Sequence, residues 1–354
     1  MMVPFLSTFC YTSPIKAKKD NMKRTFIQKY QPLNFNFYQN KEDFIVTEEP
    51  IAFTNKGNFI ILKIKKENLG TWDLLEKLAK GLNIYEHELG YAGLKDKNAT
   101  TTQYISIPKK YSKELKKFRH GKITILDTCL HSSKLNIGDL KGNHFTINLH
   151  NVSKDDLIAI EQRLKEIAKI GMPNFFGFQR FGKDIKENLA KAKQIIEGEL
   201  KIKDAKLEKM LIAAYQSDLF NRWLEKRVQL SKEQFMLLNG DVFMQLKDEK
   251  LFTPKEITPA ILDDFNAQKI VPTGLLCGRN VFRSMADARA IEEKFDDMSV
   301  VQKGLRRAAL VYPKEMNVQY NAKEQQCKLS FFLPKASYAT VLIENIQNKN
   351  IVIK

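Results

Sequence analysis

A glycine-containing loop holds the residues whose types and spacing most readily suggest chemistry. Gly90 and Gly93 permit a tight backbone path, and Asp96 follows them between Lys95 and Lys97. Because positive neighbours favour the ionised carboxylate, the sequence predicts a lowered pKa for Asp96. A carboxylate presented in this way can act as a nucleophile or as a general base. The alternative is a turn aspartate that accepts a hydrogen bond from its own backbone, and spacing alone favours that alternative.

A second group of candidates lies at residues 142–145. The amide of Asn143 can pair with the edge of a uracil base, and the ring of Phe145 can stack on that base. A turn asparagine followed by an inward-facing strand phenylalanine explains the same two residues without a ligand. The pattern therefore leaves a base-binding role and a purely structural role open.

Two further stretches are rich in aromatic residues. Residues 174–182 contain several phenylalanines and Arg180, a combination that suits stacking on nucleic acid and the core of a domain junction equally well. Near the C terminus, Pro334 ends a predicted strand, Ser337 can cap the following helix, and Tyr338 comes next. Taken by itself, Tyr338 is more typical of a core residue than of a residue that contacts a ligand.

The chain is strongly basic, with 58 Lys and Arg against 41 Asp and Glu and a formal net charge of +17. Such an excess favours an anionic partner, either nucleic acid or an acidic membrane surface. Positive residues are concentrated in two runs: Lys16, Lys18, Lys19, Lys23, Arg24 and Lys29, then Lys109, Lys110, Lys113, Lys116, Lys117, Arg119 and Lys122. A single run is typical of a solvated surface. Two runs without a bulky apolar face favour RNA or DNA over a membrane.

Other features limit the class of protein. The 354 residues suffice for about two domains, and a hydrophobic fraction of 43% excludes wholesale disorder. The 4 cysteines form no CxxC pair and the 5 histidines form no HExxH motif, so the sequence predicts neither a disulfide framework nor a metal site. A membrane-spanning run of about 18 apolar residues is also missing from the sequence.

The start of the chain does not resemble a secretory signal, because the uncharged residues 1–14 precede the basic run instead of following it. We expect residues 1–21 to be a disordered or artefactual leader, with Met22 as a candidate start of the protein. The cysteine usage fits a reducing compartment, and we expect a cytoplasmic protein.

Hydrophobic periodicity divides the rest of the chain into three parts. The predicted strands are 58–65, 100–107, 123–126, 145–149 and 328–333. The predicted helices are 71–82, one that begins at Ser153 with a capping box, 184–198, 204–229, 286–295 and 302–310, with an irregular stretch at 240–278. This order predicts an α+β protein in which a mostly helical middle domain is inserted into a mixed domain.

Taken together, the motifs closely resemble those of the TruD family of tRNA pseudouridine synthases, in order and approximate spacing from about Glu42 onward. Residues 42–48 (EDFIVTE) resemble the family's EDFxVxE, and residues 93–103 (GLKDKNATTTQ) resemble GxKDxxAxTxQ. The remaining matches are 141–145 (KGNHF), 173–177 (PNFFG), 179–182 (QRFG), 215–217 (YQS), 219–221 (LFN), 307–313 (RAALVYP) and the 333–340 stretch.

The resemblance implies a mixed-sheet catalytic domain formed by residues 22–170 and 305–354, with a TruD-specific insertion at 171–304. It also implies isomerisation of uridine to pseudouridine at position 13 in the D arm of tRNA, without cofactor or metal. Asp96 matches the essential aspartate of the family. Four residues match positions around the bound uridine, with Phe145 stacking on the base: Phe44, Asn143, Phe145 and Tyr338. Lys95 and Gln103 share the motif of Asp96 and are included among the predicted substrate-binding residues.

One position departs from the family pattern. Relatives carry a basic residue shortly before the EDF motif, where it can pair with the aspartate, whereas this chain has Tyr38 there, with Lys41 nearby. Either the alignment shifts locally or another cation takes that role. Two rival functions stay open: an RNA-binding protein of the same fold without catalysis, and a synthase that acts on another RNA. A monomer is the default expectation, because tRNA would cover the largest basic face.

Overall fold

The computed structural model describes residues 24–182 and 184–351. The predicted leader at 1–21 and most of the first basic run lie outside the described residues. The helices are α1 (Thr71–Leu82), α2 (Ser112–Lys117), α3 (Lys154–Ile170), α4 (Ile185–Ile196), α5 (Ala205–Leu230), α6 (Pro259–Asn266), α7 (Ala286–Glu292) and α8 (Ala339–Gln347).

The strands form two main sheets and one two-stranded pair. They are β1 (Asn36–Phe37), β2 (Phe44–Pro50), β3 (Phe59–Glu67), β4 (Gly90–Tyr91), β5 (Thr100–Pro108), β6 (Ile123–His131), β7 (Leu140–His150), β8 (Met172–Pro173), β9 (Phe243–Gln245), β10 (Leu251–Phe252), β11 (Ile270–Leu276), β12 (Leu305–Ala308), β13 (Leu310–Val311), β14 (Lys314–Asn321) and β15 (Gln326–Pro334).

The larger sheet is mixed, as the sequence predicts. Its strand order is β14-β15-β7-β2-β5-β3-β6, and the short strands β1 and β4 pair in addition with β7 and β5, respectively. Only the β2–β5 pair among these neighbours is parallel, with Ile45 opposite Thr100. A parallel pair requires a long crossover connection, and this one contains β3, α1 and the Gly90–Tyr91 strand. The loop that carries Asp96 therefore enters the middle of the sheet.

One face of this sheet carries two apolar clusters. On β2 and β7 the inward residues alternate along each strand, and Phe44, Val46, Phe145 and Ile147 pack against α3 and α8. Helix α3 begins with the predicted capping box, in which the Ser153 hydroxyl accepts a hydrogen bond from the Asp156 backbone N–H. The first cluster continues into α5, so the large sheet and the middle part of the chain share a core.

The second cluster lies at the other end of the same face. Leu62, Ile64, Ile105 and Ile107 of β3 and β5 are buried beneath α1, whose own apolar stripe fits the predicted helix at 71–82. The two clusters are separate. The sheet positions between them are therefore available for polar side chains.

The middle of the chain contains a smaller sheet of order β10-β9-β11-β12. The sequence predicts an irregular stretch at 240–278, and this is wrong in part, because the stretch contains β9, β10, α6 and β11. Its prolines are compatible with regular structure. Pro259 occupies the start of α6 after the Thr258 cap, where a backbone N–H is not needed.

The predicted helix at 302–310 is also wrong. Leu305, Ala308 and Ala309 have helical spacing, but residues 305–308 form β12 and pair antiparallel with β11 from Leu276 to Thr273. Ala309 then donates its backbone N–H to the carbonyl of Pro272. The unpaired edge of a neighbouring strand thus outweighs a short periodic pattern.

A buried ion pair fastens α5 to the start of the smaller sheet. Arg227 donates to both carboxylate oxygens of Asp241, at 2.6 and 2.9 Å, and these side chains are 1% and 2% exposed. The backbone N–H of Leu238 donates to the same carboxylate at 2.8 Å. Asp241 therefore closes the turn between α5 and β9 as well as neutralising the arginine.

We expect Asp241→Asn to lower the free energy of unfolding by about 3–5 kcal/mol, because it leaves Arg227 charged and buried without its partner. Urea unfolding followed by circular dichroism measures the change. Asp248→Asn is the matched control, since Asp248 lies on an exposed turn beside Lys250 and should leave the unfolding midpoint close to that of the parent. Equal midpoints for both variants would contradict the expectation.

Candidate active site

A row of polar side chains crosses the sheet face between the two apolar clusters. Glu48 on β2 lies opposite Asn143 on β7, and Lys66 on β3 lies opposite Thr101 on β5. Gln103 is the next inward residue of β5 and is fully buried. Each of these residues occupies the same alternating face as the core residues beside it. Period-two alternation therefore directs them inward despite their polarity.

These polar residues anchor the loop that carries Asp96. The Lys95 ammonium pairs with Glu48 at 2.6 Å, and these side chains are 5% and 1% exposed. The Lys95 backbone N–H donates to the Thr71 hydroxyl at 2.8 Å, and that hydroxyl donates to Gln103 Oε1 at 3.1 Å. Lys95 and Gln103, both predicted as substrate-binding, thus anchor the loop from two sides.

Asp96 is half-buried at the end of this loop. Gln39 Nε2 donates to its Oδ1 at 3.2 Å. Burial raises the pKa of Asp96, while Lys66 and Lys95 oppose the shift. The sequence-based prediction of a lowered pKa is therefore wrong in direction, because removal of the carboxylate from water outweighs the nearby positive charges. Lys97 also points elsewhere and pairs with Asp73 at 3.5 Å.

Lys66 supplies a cation that the sequence analysis did not identify. It is 1% exposed, and its ammonium donates to the backbone carbonyl of Asp96 at 3.4 Å and to that of Leu69. Burial lowers the pKa of Lys66 to about 8, and the charge of Asp96 opposes that shift. The group is therefore largely protonated at neutral pH, beside the carboxylate.

The two residues nearest in sequence to the expected basic position have other partners. The Tyr38 ring packs against His150 with centroids 5.4 Å apart. Lys41 pairs with Glu67 at 3.6 Å. Of the two explanations for the departure from the family pattern, a cation from another element is the one that this geometry favours.

An aromatic wall adjoins the polar row. The rings of Phe44 and Phe145 lie 6.0 Å apart, and Phe145 stacks on Phe331 at 5.3 Å with an interplanar angle of 20°. Beside them, Asn143 Oδ1 is buried without a hydrogen-bond partner among the described residues. A buried acceptor without a partner is costly. A ligand that brings an N–H group would satisfy it.

Tyr338 lies at the start of α8 and packs against Phe176 with ring centroids 6.1 Å apart. Burial raises the pKa of Tyr338, the arginines Arg307 and Arg180 oppose the shift, and the charge of Asp96 adds to it. Tyr338 and Asp96 are therefore within electrostatic reach of each other. The structure thus brings Tyr338 to the same site as Asp96, although the two are far apart in sequence.

The phenylalanine-rich loop at 174–182 forms a domain junction. Phe175, Phe176 and Phe181 are buried, and the Arg307 guanidinium lies 3.8 Å from the centroid of the Phe176 ring. Arg307 also donates to the backbone carbonyls of Asn174 and Ala336. Of the two interpretations that the sequence leaves open, the structure shows the junction core.

Neither a metal cluster nor a membrane span is found in the described part of the chain. Within residues 24–182 and 184–351, no group of three His, Cys, Asp or Glu side chains could hold a metal ion. Over the same residues, no helix is long and apolar enough to cross a membrane.

Comparison with known proteins gives the same family over most of the chain. The family model described as tRNA pseudouridine synthase D (TruD) matches residues 20–202 and 183–346. A Nitratiruptor protein named tRNA pseudouridine synthase D is 40% identical over 93% of this chain and 99% of its own length. A protein of the same name from Sulfurimonas denitrificans is 39% identical over 94% of this chain and 100% of its own.

A solved structure from Methanosarcina mazei that bears the same name superimposes with a TM-score of 0.69. It covers 92% of this chain and 96% of its own at 22% identity, which supports the α+β fold with its mixed sheet. The fold and the sequence matches define a pseudouridine synthase, which is an isomerase. Within that class, the chain belongs to the TruD family of tRNA pseudouridine synthases.

The Glu48–Lys95 pair should be strongly coupled. We expect Glu48→Gln and Lys95→Met each to lower the free energy of unfolding by about 3–5 kcal/mol, because each leaves a buried charge without its partner. The double variant should be less destabilised than the sum of the two, by about 1–3 kcal/mol. Urea unfolding of all four proteins measures the coupling. Strict additivity would show that the pair does not fasten the loop.

Proposed function

We propose that this chain isomerises uridine to pseudouridine at position 13 in the D arm of tRNA, with Asp96 as the catalytic nucleophile. The observation that carries the proposal is the Asp96 carboxylate, which accepts a hydrogen bond from Gln39 and lies on a loop whose backbone is bound by Lys66. The family membership supplies the reaction class. The position in tRNA follows from the resemblance of the motifs to those of the family.

The reaction needs one carboxylate and a closed site. The bond between C1′ of ribose and N1 of uracil breaks, the ring turns, and a bond from C1′ to C5 forms. The C5 proton leaves to solvent and N1 takes up a proton from solvent, so the product is an isomer of the substrate. No electrons are gained or lost overall, so no redox partner is required. In this proposal, Asp96 attacks during cleavage and is released when the new carbon–carbon bond forms, as carboxylates do in retaining glycosidases. Two alternatives exist for the same residue. Asp96 could add to the base, or it could remove a proton from the sugar.

The uracil must stay bound after it leaves the sugar. We place it against Phe145, whose ring is held from behind by Phe331, with Phe44 at the edge. The unpaired Asn143 Oδ1 is suited to accept the N3–H of uracil. Tyr338, whose phenol is neutral at physiological pH and whose pKa burial raises further, closes the opposite side as a hydrogen-bond donor or packing surface.

The target uridine lies in folded RNA and must be flipped out, which costs roughly a few kcal/mol. The net charge of +17 favours binding of the tRNA backbone and supplies affinity without reading sequence.

We propose that the chain is divided into a catalytic part (22–170 and 305–354) and an insertion (171–304). Because residues 305–308 pair with β11 of the smaller sheet, we propose to move the end of the insertion from residue 304 to about Ala309.

We expect Asp96→Asn to abolish pseudouridine formation, because an amide cannot attack the sugar. The measurement is release of tritium from the C5 position of uridine in labelled tRNA. Asp73→Asn is the matched control: Asp73 lies on α1 and forms a partly exposed pair with Lys97, so this variant should keep most of the activity. Release by the Asp96→Asn variant at the parent rate would overturn the assignment.

The same assay separates the proposed substrate from its rivals. A tRNA with cytidine at position 13 and label at its other uridines should release no tritium. Release from that tRNA would indicate another target uridine. Tight binding of unmodified tRNA by the parent chain without any release would favour the non-catalytic RNA-binding alternative.

The rate should depend on pH through Asp96, because only the ionised carboxylate can attack. Activity should therefore rise with pH through the pKa of Asp96, which burial places above its ordinary value. Lys66→Met removes a charge that favours the carboxylate, so its acidic limb should shift to higher pH. Single-turnover rates at saturating tRNA measure the profile. Lys41→Met, which removes surface pairs with Glu42 and Glu67, should leave the profile unchanged.

A further inference from the structure

The second basic run forms an exposed cluster of lysines on and around α2. We call Lys109, Lys113, Lys116, Lys117 and Lys122 the lysine patch. All five are exposed, and the only acidic residue within residues 109–122 is Glu114. The neighbouring Lys110 differs from them, because it pairs with Glu88 at 2.9 Å.

The ammonium groups of the lysine patch have no acidic partners among the described residues. Arg119, the other cation of the run, is bound to the backbone carbonyls of Lys116 and Phe118. Salt bridges elsewhere on the surface are common, as at Lys80 and Lys191. The patch is therefore a local excess of positive charge and not part of an ion-pair network.

The spacing of these lysines is unfavourable for the isolated chain. Lys113 lies three and four residues before Lys116 and Lys117, so the three ammonium groups share one side of α2. Like charges at these spacings destabilise a helix. The last-turn positions of Lys116 and Lys117 offset part of this repulsion through the helix dipole, but Lys109 and Lys113 gain nothing from it. Binding of an anionic partner would remove the repulsion.

The position of the patch relative to the active site follows from β5. This strand runs from Thr100, beside the Asp96 loop, to Pro108, directly before the patch. Its eight steps of about 3.3 Å separate the two ends by about 26 Å. Tyr111, Leu115 and Phe118 pack into the apolar cluster under α1, which lies on the same sheet face as the active site. One bound molecule could therefore contact both places.

We propose that the lysine patch binds the phosphate backbone of a part of tRNA outside the D arm while the target uridine occupies the active site. This inference rests on the proposed function. A stem of four base pairs rises at most about 14 Å, because the roughly 3.4 Å per base pair of B-form DNA is an upper limit for an A-form RNA duplex. This rise is well short of the separation along β5. A second helical segment of the same RNA is needed to reach the patch. Lysine ammonium groups bind such backbones as point charges, without base specificity.

The test compares two RNAs and three proteins. The RNAs are a full-length tRNA and an isolated D-arm hairpin that contains the target uridine. The proteins are the parent, a patch variant (Lys113→Gln, Lys116→Gln and Lys117→Gln) and a control variant with three dispersed exposed lysines replaced (Lys247→Gln, Lys255→Gln and Lys323→Gln). Kd is measured for tRNA at several salt concentrations, and kcat/KM is measured for both RNAs.

We expect the patch variant to bind tRNA about tenfold or more weakly at ~0.1 M salt, with the slope of log K against log salt reduced by about 2–3. Its kcat/KM on the hairpin and its single-turnover rate at saturating tRNA should equal those of the parent. The control variant should lose less affinity for tRNA than the patch variant.

Three outcomes would overturn the proposal: unchanged tRNA affinity in the patch variant, equal losses on tRNA and hairpin, or equal losses in the patch and control variants. Failure of the proposed function has a different signature, because the parent itself would then form no pseudouridine in tRNA. Unfolding midpoints of the three proteins exclude misfolding as a cause, since Lys→Gln at exposed positions relieves repulsion and removes no packing.

Discussion

Charged groups in the middle of an otherwise apolar sheet face are the constraint on which the rest of the structure depends. Glu48 and Lys66 are almost completely buried, and Lys95 is nearly so. Removal of such groups from water is costly unless each finds a partner. The chain meets this requirement by bringing the Asp96 loop into the row, so that Lys95 neutralises Glu48 and Lys66 binds the loop backbone. The position of Asp96 thus follows from the need to pair its neighbours.

The two apolar clusters determine where this polar row can lie. Helix α1 covers one cluster, α3 and α8 cover the other, and the strands pass beneath both. Since packed side chains on either side resist movement, the polar groups are fixed before any ligand binds. Preorganised groups of this kind need no reorganisation during a reaction. The same arrangement explains why burial raises the pKa of the carboxylate that the reaction would use in its ionised form.

The sequence was informative about elements with strong periodicity and about motifs, and less so about spatial neighbours. The helix at 71–82 and the capping box at Ser153 were predicted correctly, since both depend on local spacing. The pKa direction of Asp96 was wrong because the sequence shows the charge of Lys95 but not the burial of the carboxylate, and burial has the larger effect. Lys66 could have been found, because Leu62, Ile64 and Lys66 alternate and place a lysine on a buried face. The hydrogen bond from Gln39 had no comparable signal, because Gln39 lies outside any periodic element.

The ends of the described chain meet at one place in the fold. The Arg24 backbone donates to Asn350, 326 positions away, and its guanidinium forms a buried pair with Glu344 of α8. Strand β15 also lies inside the large sheet, between β14 and β7, although it is the last strand made. Contacts of such long sequence separation make folding slow. During synthesis on the ribosome, the aromatic wall around Phe145 therefore lacks Phe331 until almost the whole chain has emerged, so this part of the fold is completed only near the end of synthesis.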